Sequence, residues 1–167
     1  NLSARQFDDQ LVALVRDVVR ETGISPSALI LEITEGVAMQ DVDRTIVRLK
    51  ELHAMGIGIS IDDFGTGYSS LAYLKRLPLN TLKIDQCFIH DITTNADDRE
   101  ITRAIIALGR NLNLKVLAEG VETAEQLQWL NSSGCDYIQG YYYCRPLPAA
   151  QLLSALQRKN LLVSPAA

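Results

Sequence analysis

Two adjacent carboxylates, Asp62 and Asp63, end the apolar run Ile57-Gly58-Ile59-Ser60-Ile61 and lead into Phe64-Gly65-Thr66-Gly67-Tyr68-Ser69-Ser70-Leu71. Two anions withdrawn from water together repel each other and lose hydration. A divalent cation is the simplest group that neutralises both. The glycine-rich segment behind them can fold tightly over whatever that cation holds. Further polar residues stand in similar apolar surroundings: Glu32 in Leu29–Glu35, Lys83 and Asp85 in Thr81–Asp85, Glu119 and Glu122 in Lys115–Glu122, and Gln139 in Tyr137–Cys144.

Each of these runs reads as a strand, and helical periodicities separate them. Leu11, Leu14, Val15, Val18 and Val19 recur at helical spacing, as do Ile46, Leu49 and Leu52, and then Ile101, Ala104, Ile105, Leu108 and Leu112. Thr123-x-x-Gln126 is a capping box that opens another helix. Leu152, Leu153 and Leu156 mark the last. Strand and helix therefore alternate as repeated βαβ units require. The strand runs are nearly continuous in apolar residues, which predicts a parallel sheet covered on both faces. In such α/β folds ligands bind at the carboxyl ends of the strands, and Glu32, Asp62, Asp63, Lys83, Glu119 and Gln139 all fall at or near such ends.

The 167 residues can bury one sizeable core, and no linker or low-complexity stretch divides them. The net charge of −4 and the absence of any run of Lys or Arg argue against a nucleic-acid polymer as partner. No apolar stretch reaches membrane-spanning length and no signal peptide opens the chain. The three cysteines, Cys87, Cys135 and Cys144, lack metal spacing and read as reduced, buried thiols of a cytoplasmic protein. His53 and His90 are isolated, with His53 on a helix surface.

The motifs Asn1-Leu-Ser-Ala-Arg5, Leu31-Glu-Ile-Thr-Glu35, Asp62–Leu71, Leu82-Lys-Ile-Asp85, Ala118-Glu-Gly-Val-Glu122, Gln139-Gly140 and Arg145-Pro-Leu-Pro148 occur in one order. With them the chain resembles the EAL domain family, bacterial phosphodiesterases and receptors for cyclic di-GMP. The resemblance covers residues 1 to about 158. It implies a TIM-barrel-like, modified β/α barrel, with residues 1–160 as the N-terminally incomplete domain and 161–167 as a tail. The Glu-Ala-Leu tripeptide that names the family does not occur in this chain. A full barrel takes about 250 residues, so the N-terminal strand and helix, and most of the next strand, are expected upstream of Asn1. That segment would supply one metal-binding glutamate and an arginine near the substrate phosphate.

The resemblance also assigns roles. Asn1, Glu32 and Asp62 would surround one metal, and Asp62 and Asp63 a second, with Glu119 nearby directly or through water. An all-oxygen set suits Mg²⁺ or Mn²⁺ rather than zinc. Lys83, together with Glu119, is the expected catalytic group; the lysine positions the attacking water or offsets charge in the transition state. Asp85 either orients Lys83 or contacts the ligand. Gln139 would pair with a guanine edge. Tyr141 either stacks on a base or, with Tyr142 and Tyr143, serves as a core or rim aromatic. Glu35 would anchor the Gly65–Leu71 loop through its backbone amides, and Glu122 would support the site from behind.

The implied activity is metal-dependent hydrolysis of cyclic di-GMP to linear pGpG. The alternative is a catalytically silent receptor for the same ligand. A homodimer through the loop and the Asp97–Asn113 helix is expected. So is fusion to an upstream sensor or a diguanylate cyclase-like GGDEF domain. The location is the cytoplasm, including the cytoplasmic part of a membrane-anchored protein.

Overall fold

The computed structural model describes residues 1–67 and 71–158. Tyr68, Ser69 and Ser70 of the glycine-rich loop, and the tail at 161–167, lie outside the described residues. The chain begins with helix α1 (Leu11–Thr22) and a 3-10 turn at Pro26–Ala28. Strand β1 (Ile30–Thr34) is followed by α2 (Glu35–Gln40) and α3 (Val42–Ala54). Then come β2 (Gly58–Phe64), α4 (Leu71–Leu74), β3 (Thr81–Ile84), α5 (Cys87–His90) and α6 (Ala96–Asn111). The series closes with β4 (Lys115–Ala118), α7 (Ala124–Ser133), β5 (Tyr137–Ile138) and α8 (Ala149–Arg158).

All four strand pairings are parallel, and the sheet order is β1-β2-β3-β4-β5. A strictly sequential order is that of a barrel wall; a doubly wound sheet would reverse its order at a switch point. Leu2 adds an isolated parallel bridge to Ile33 beyond β1. Register places Ile33, Ile61, Leu82 and Val116 level with one another across four strands. Each is at most 1% exposed, so this face of the sheet packs under the helices. The opposite face carries Glu32, Asp62 and Lys83. On that inner side Ser60 and Lys83 are buried, while Ile30 and Tyr137, at the amino ends of their strands, are 61% and 50% exposed.

Two helical stripes differ from expectation. In α1 the buried residues are Leu11 and Val12, while Leu14 and Val18 are exposed. In α6 the buried stripe is Thr102, Ile105, Ile106 and Gly109, one residue round from the predicted one, and Ile101 is exposed. The reason lies at Gly109, where a Cβ would sit 2.3 Å from Val116 Cγ2. That close approach of helix to strand turns the Gly109 side of α6 toward the sheet. The cysteines are free, but Cys87, at the start of the one-turn helix α5, is exposed, and Cys135 and Cys144, in connecting segments, are half-buried. His53 and His90 are exposed, and His90 pairs with Asp91. Among the described residues no helix is long and apolar enough to cross a membrane.

Candidate active site

Successive residues of a strand point to opposite faces, so Asp62 and Asp63 would diverge if β2 ran regularly to its end. It does not. The pairing of β2 with β3 shifts register between Ile61 and Phe64, and Asp63 adopts a left-handed conformation at φ 54°. Such irregularities re-aim side chains next to active sites. Here the result is a cluster: carboxylate oxygens of Asp62, Asp63 and Glu119 all lie within 4.8 Å of one another. Glu119 enters from the end of β4, where its amide continues the ladder by donating to Ile84 O at 3.2 Å.

Lys83 stands at the centre. It is 3% exposed, and its ammonium lies 2.8 Å from Asp62 Oδ1, 2.8 Å from Glu119 Oε1 and 3.1 Å from Glu32 Oε1. Burial works against its charge, but the three carboxylates outweigh that and hold its pKa above the ordinary lysine value. Lys83 is therefore a fixed cation. The acids feel the opposite pressure. Burial, and then the negative charges of Asp62 and Asp85, raise the Asp63 pKa. Burial also raises that of Glu119, against the pull of Lys83 and with Asp62 and Glu32 adding to the rise.

The donor set fits a hard divalent cation. The Asn1 side-chain amide lies 2.9 Å from Glu32 Oε2 and 3.2 Å from Asp62 Oδ2, so that one orientation lets its NH2 group donate to both carboxylates. Turned over, the same amide presents its carbonyl oxygen to them. Asn1, Glu32 and Asp62 then form one oxygen trio, and Asp62, Asp63 and Glu119 the other, which is the donor chemistry of Mg²⁺ or Mn²⁺.

Beside the cluster lies a cleft of about 590 Å³ whose lining includes Asp63, Asp85, Glu119, Glu122, Gln139 and Tyr141. Asp85 faces Asp63 and accepts from the Cys87 amide at 2.7 Å. It is not among the ion-pair partners of Lys83, so of its two expected roles the orientation of Lys83 loses support. Gln139 is held by its backbone: its amide donates to Ala118 O at 2.8 Å, and its carbonyl accepts from Val121 N at 3.1 Å. The strand expected over Tyr137–Cys144 ends at Ile138, because Val121 O accepts from Tyr142 N and draws the chain into turns. Tyr141 is 50% exposed, which removes it from the core. Arg145, read from the sequence only as part of a motif, lays its guanidinium 4.4 Å from the centre of the Tyr141 ring and joins the cleft wall.

Glu35 opens α2 behind Thr34, whose hydroxyl accepts from Val37 N at 3.4 Å. It is buried at 3% exposure and accepts from Gly65 N at 3.1 Å. A Cβ on Gly67 would lie 2.9 Å from its carboxylate, so a side chain there would push the Glu35 carboxylate from its present position.

The family model for the EAL domain matches residues 1–146. The chain belongs to the EAL domain family. The cyclic di-GMP phosphodiesterase MucR of Pseudomonas aeruginosa, named as bifunctional with a diguanylate cyclase, is 55% identical over 157 residues. That alignment takes in 93% of this EAL chain and 23% of the MucR sequence, so the chain spans less than a quarter of that relative. A solved MucR phosphodiesterase in complex with c-di-GMP superimposes with a TM-score of 0.89 at 55% identity, covering 91% of this chain and 62% of that one. A manganese and cy-diGMP complex of Klebsiella pneumoniae BlrP1 gives a TM-score of 0.76 at 32% identity, covering 84% of this chain and 36% of its own. The fold is therefore the TIM-barrel-like fold of EAL domains.

Proposed function

We propose that this EAL chain carries the catalytic rim of a metal-dependent phosphodiesterase that opens cyclic di-GMP to linear pGpG. The observation that supports it most is Lys83 held by Glu32, Asp62 and Glu119, with Asp63 turned toward the same point. Two Mg²⁺ or Mn²⁺ ions held by Asn1, Glu32, Asp62, Asp63 and Glu119 would lower the pKa of the attacking water and polarise the phosphate. Water adds to phosphorus and the bond from phosphorus to the ribose 3′ oxygen breaks. Lys83, permanently charged, aims that water and offsets the negative charge that grows on the phosphate oxygens. It does not accept the proton. Glu119, 2.8 Å from the Lys83 ammonium and on the cleft wall, is the carboxylate suited by position to take it. Gln139 and Tyr141 hold a guanine in the cleft, and Asp85 contacts the ligand. Glu35 fixes the loop behind Asp63, and Glu122 supports Glu119.

The same reading includes a homodimer through the loop and α6, supported by the exposed Leu71, Tyr73 and Ile101. It also includes an upstream sensor or cyclase-like domain, supported by the bifunctional MucR.

Incubation of the complete domain with cyclic di-GMP and Mn²⁺, followed by chromatography, is expected to show pGpG, and a chelator is expected to stop its formation. Gln139→Ala is expected to raise KM about tenfold while changing kcat less, since it removes binding contacts shared by ground and transition state. Tight binding of cyclic di-GMP without any product would instead identify a silent receptor.

A further inference from the structure

Gln126 is a buried side chain that the capping box explains only in part. At 5% exposure it occupies the third position of α7. Its Oε1 accepts from the amides of Glu122 at 2.7 Å and Thr123 at 2.9 Å, and Thr123 Oγ1 accepts from its own amide at 3.2 Å. That is the reciprocal cap, and a glutamate at the same position would serve it equally. A glutamate could not do the rest. Nε2 donates to Ile89 O at 3.1 Å and His90 O at 3.0 Å, the last two residues of α5. All four hydrogen-bonding capacities of one neutral amide are used.

These four bonds join two catalytic loops. The loop after β3 follows Lys83 and carries Asp85 and then α5. The loop after β4 carries Glu119, Gly120, Val121 and Glu122. On its other flank, the second loop is fixed by Val121, which is fully buried and bonded through its backbone to Gln139 and Tyr142. Gln126 supplies the tie toward α5. The two loops are close enough to need it: a Cβ on Gly120 would lie 2.6 Å from Gln86 Cβ, at the leading edge of α5.

We propose that Gln126 is a positioning residue that sets the β4–α7 loop against α5 and so fixes Glu119 relative to Lys83 and Asp85. The inference rests on the phosphodiesterase reading above. A purely capping role makes glutamate an adequate replacement. A positioning role requires the amide's two donors.

The test uses the full-length protein with Gln126→Glu, which keeps the cap acceptor, and Gln126→Met, which keeps the packing without charge. Mn²⁺ affinity is measured by titration, and kcat and KM for cyclic di-GMP are measured at a temperature where circular dichroism shows both variants folded. The expected result is a loss of about 10–100-fold in kcat and in Mn²⁺ affinity for both, the range found when supports of metal ligands are removed, with KM changing less than kcat. Wild-type kcat and Mn²⁺ affinity in a folded Gln126→Glu would overturn the proposal and leave Gln126 a helix cap. A wild-type protein that neither hydrolyses cyclic di-GMP nor binds Mn²⁺ would instead overturn the phosphodiesterase reading, and this inference with it.

Discussion

Asp62→Asn is expected to lower kcat for cyclic di-GMP by about 10³-fold or more, equivalent to about 4 kcal/mol of transition-state stabilisation, while the domain stays folded. Asp62 is the one carboxylate that belongs to both oxygen clusters: it faces Asn1 and Glu32 on one side and Asp63 and Glu119 on the other. An amide keeps the size and one acceptor oxygen but removes the charge that draws a cation. Lys83 retains Glu32 and Glu119 as partners in the variant, so its charge stays compensated. Thermal unfolding should therefore shift little. Steady-state rates in Mn²⁺ check the first part, and a melting curve checks the second. Turnover within a few-fold of wild type would reject the shared role of Asp62.

Lys83→Met should produce two large effects with different metal dependence. The first is chemical: a fixed cation that acts on the transition state is lost, so kcat falls by about 10²–10³-fold, as for removal of a single stabilising group elsewhere, while affinity for cyclic di-GMP changes modestly. The second is structural. Lys83 is the common partner of Glu32, Asp62 and Glu119, and removing one partner from a buried charge cluster costs about 3–5 kcal/mol. Added Mn²⁺ should recover much of that stability, since it supplies the missing positive charge. The sign with pH follows from the direction of the shift. A lysine whose folded pKa exceeds its unfolded value of about 10.4 contributes stability fully below that value and loses it as pH rises through the higher folded pKa. Lys83 is therefore charged throughout the neutral range, but Glu119, whose raised pKa Lys83 pulls down, rises further in the variant, so the variant's deficit in melting temperature should grow as pH rises from about 6 to about 9. Loss of ligand affinity in proportion to rate would make Lys83 a binding residue.

The parallel α/β architecture and the rim of polar residues were legible because both are local signals. Apolar runs of four to seven residues, each with a charge at its carboxyl end, mark strands and site together, and β1 to β4 lie where those runs lie. What the residues could not show were consequences of distant contacts. The helical spacing of Leu14 and Val18 is as good as that of Leu11 and Val15, and only the packed structure shows which side of α1 meets a neighbour. The aromatic run after Ile138 reads as strand, but the bond from Tyr142 N to Val121 O bends it into turns. The left-handed backbone of Asp63 is invisible in a string of letters, though a double aspartate before glycine at a strand end hints at a break in alternation. Arg145 gains meaning only once Tyr141 is seen beneath it. The cap at Thr123 was readable because its partners are three residues apart, whereas the bonds from Gln126 to Ile89 and His90 span 37 and 36 positions.

Anomalous diffraction at the manganese edge, from crystals of the complete domain grown with Mn²⁺ and cyclic di-GMP, tests the central claim most directly. The account predicts two manganese peaks per domain, one touching Asn1, Glu32 and Asp62 and the other touching Asp62 and Asp63, with Lys83 still beside Glu119. A domain that hydrolyses cyclic di-GMP with one peak, with none, or with manganese bound away from Asp62 would contradict it.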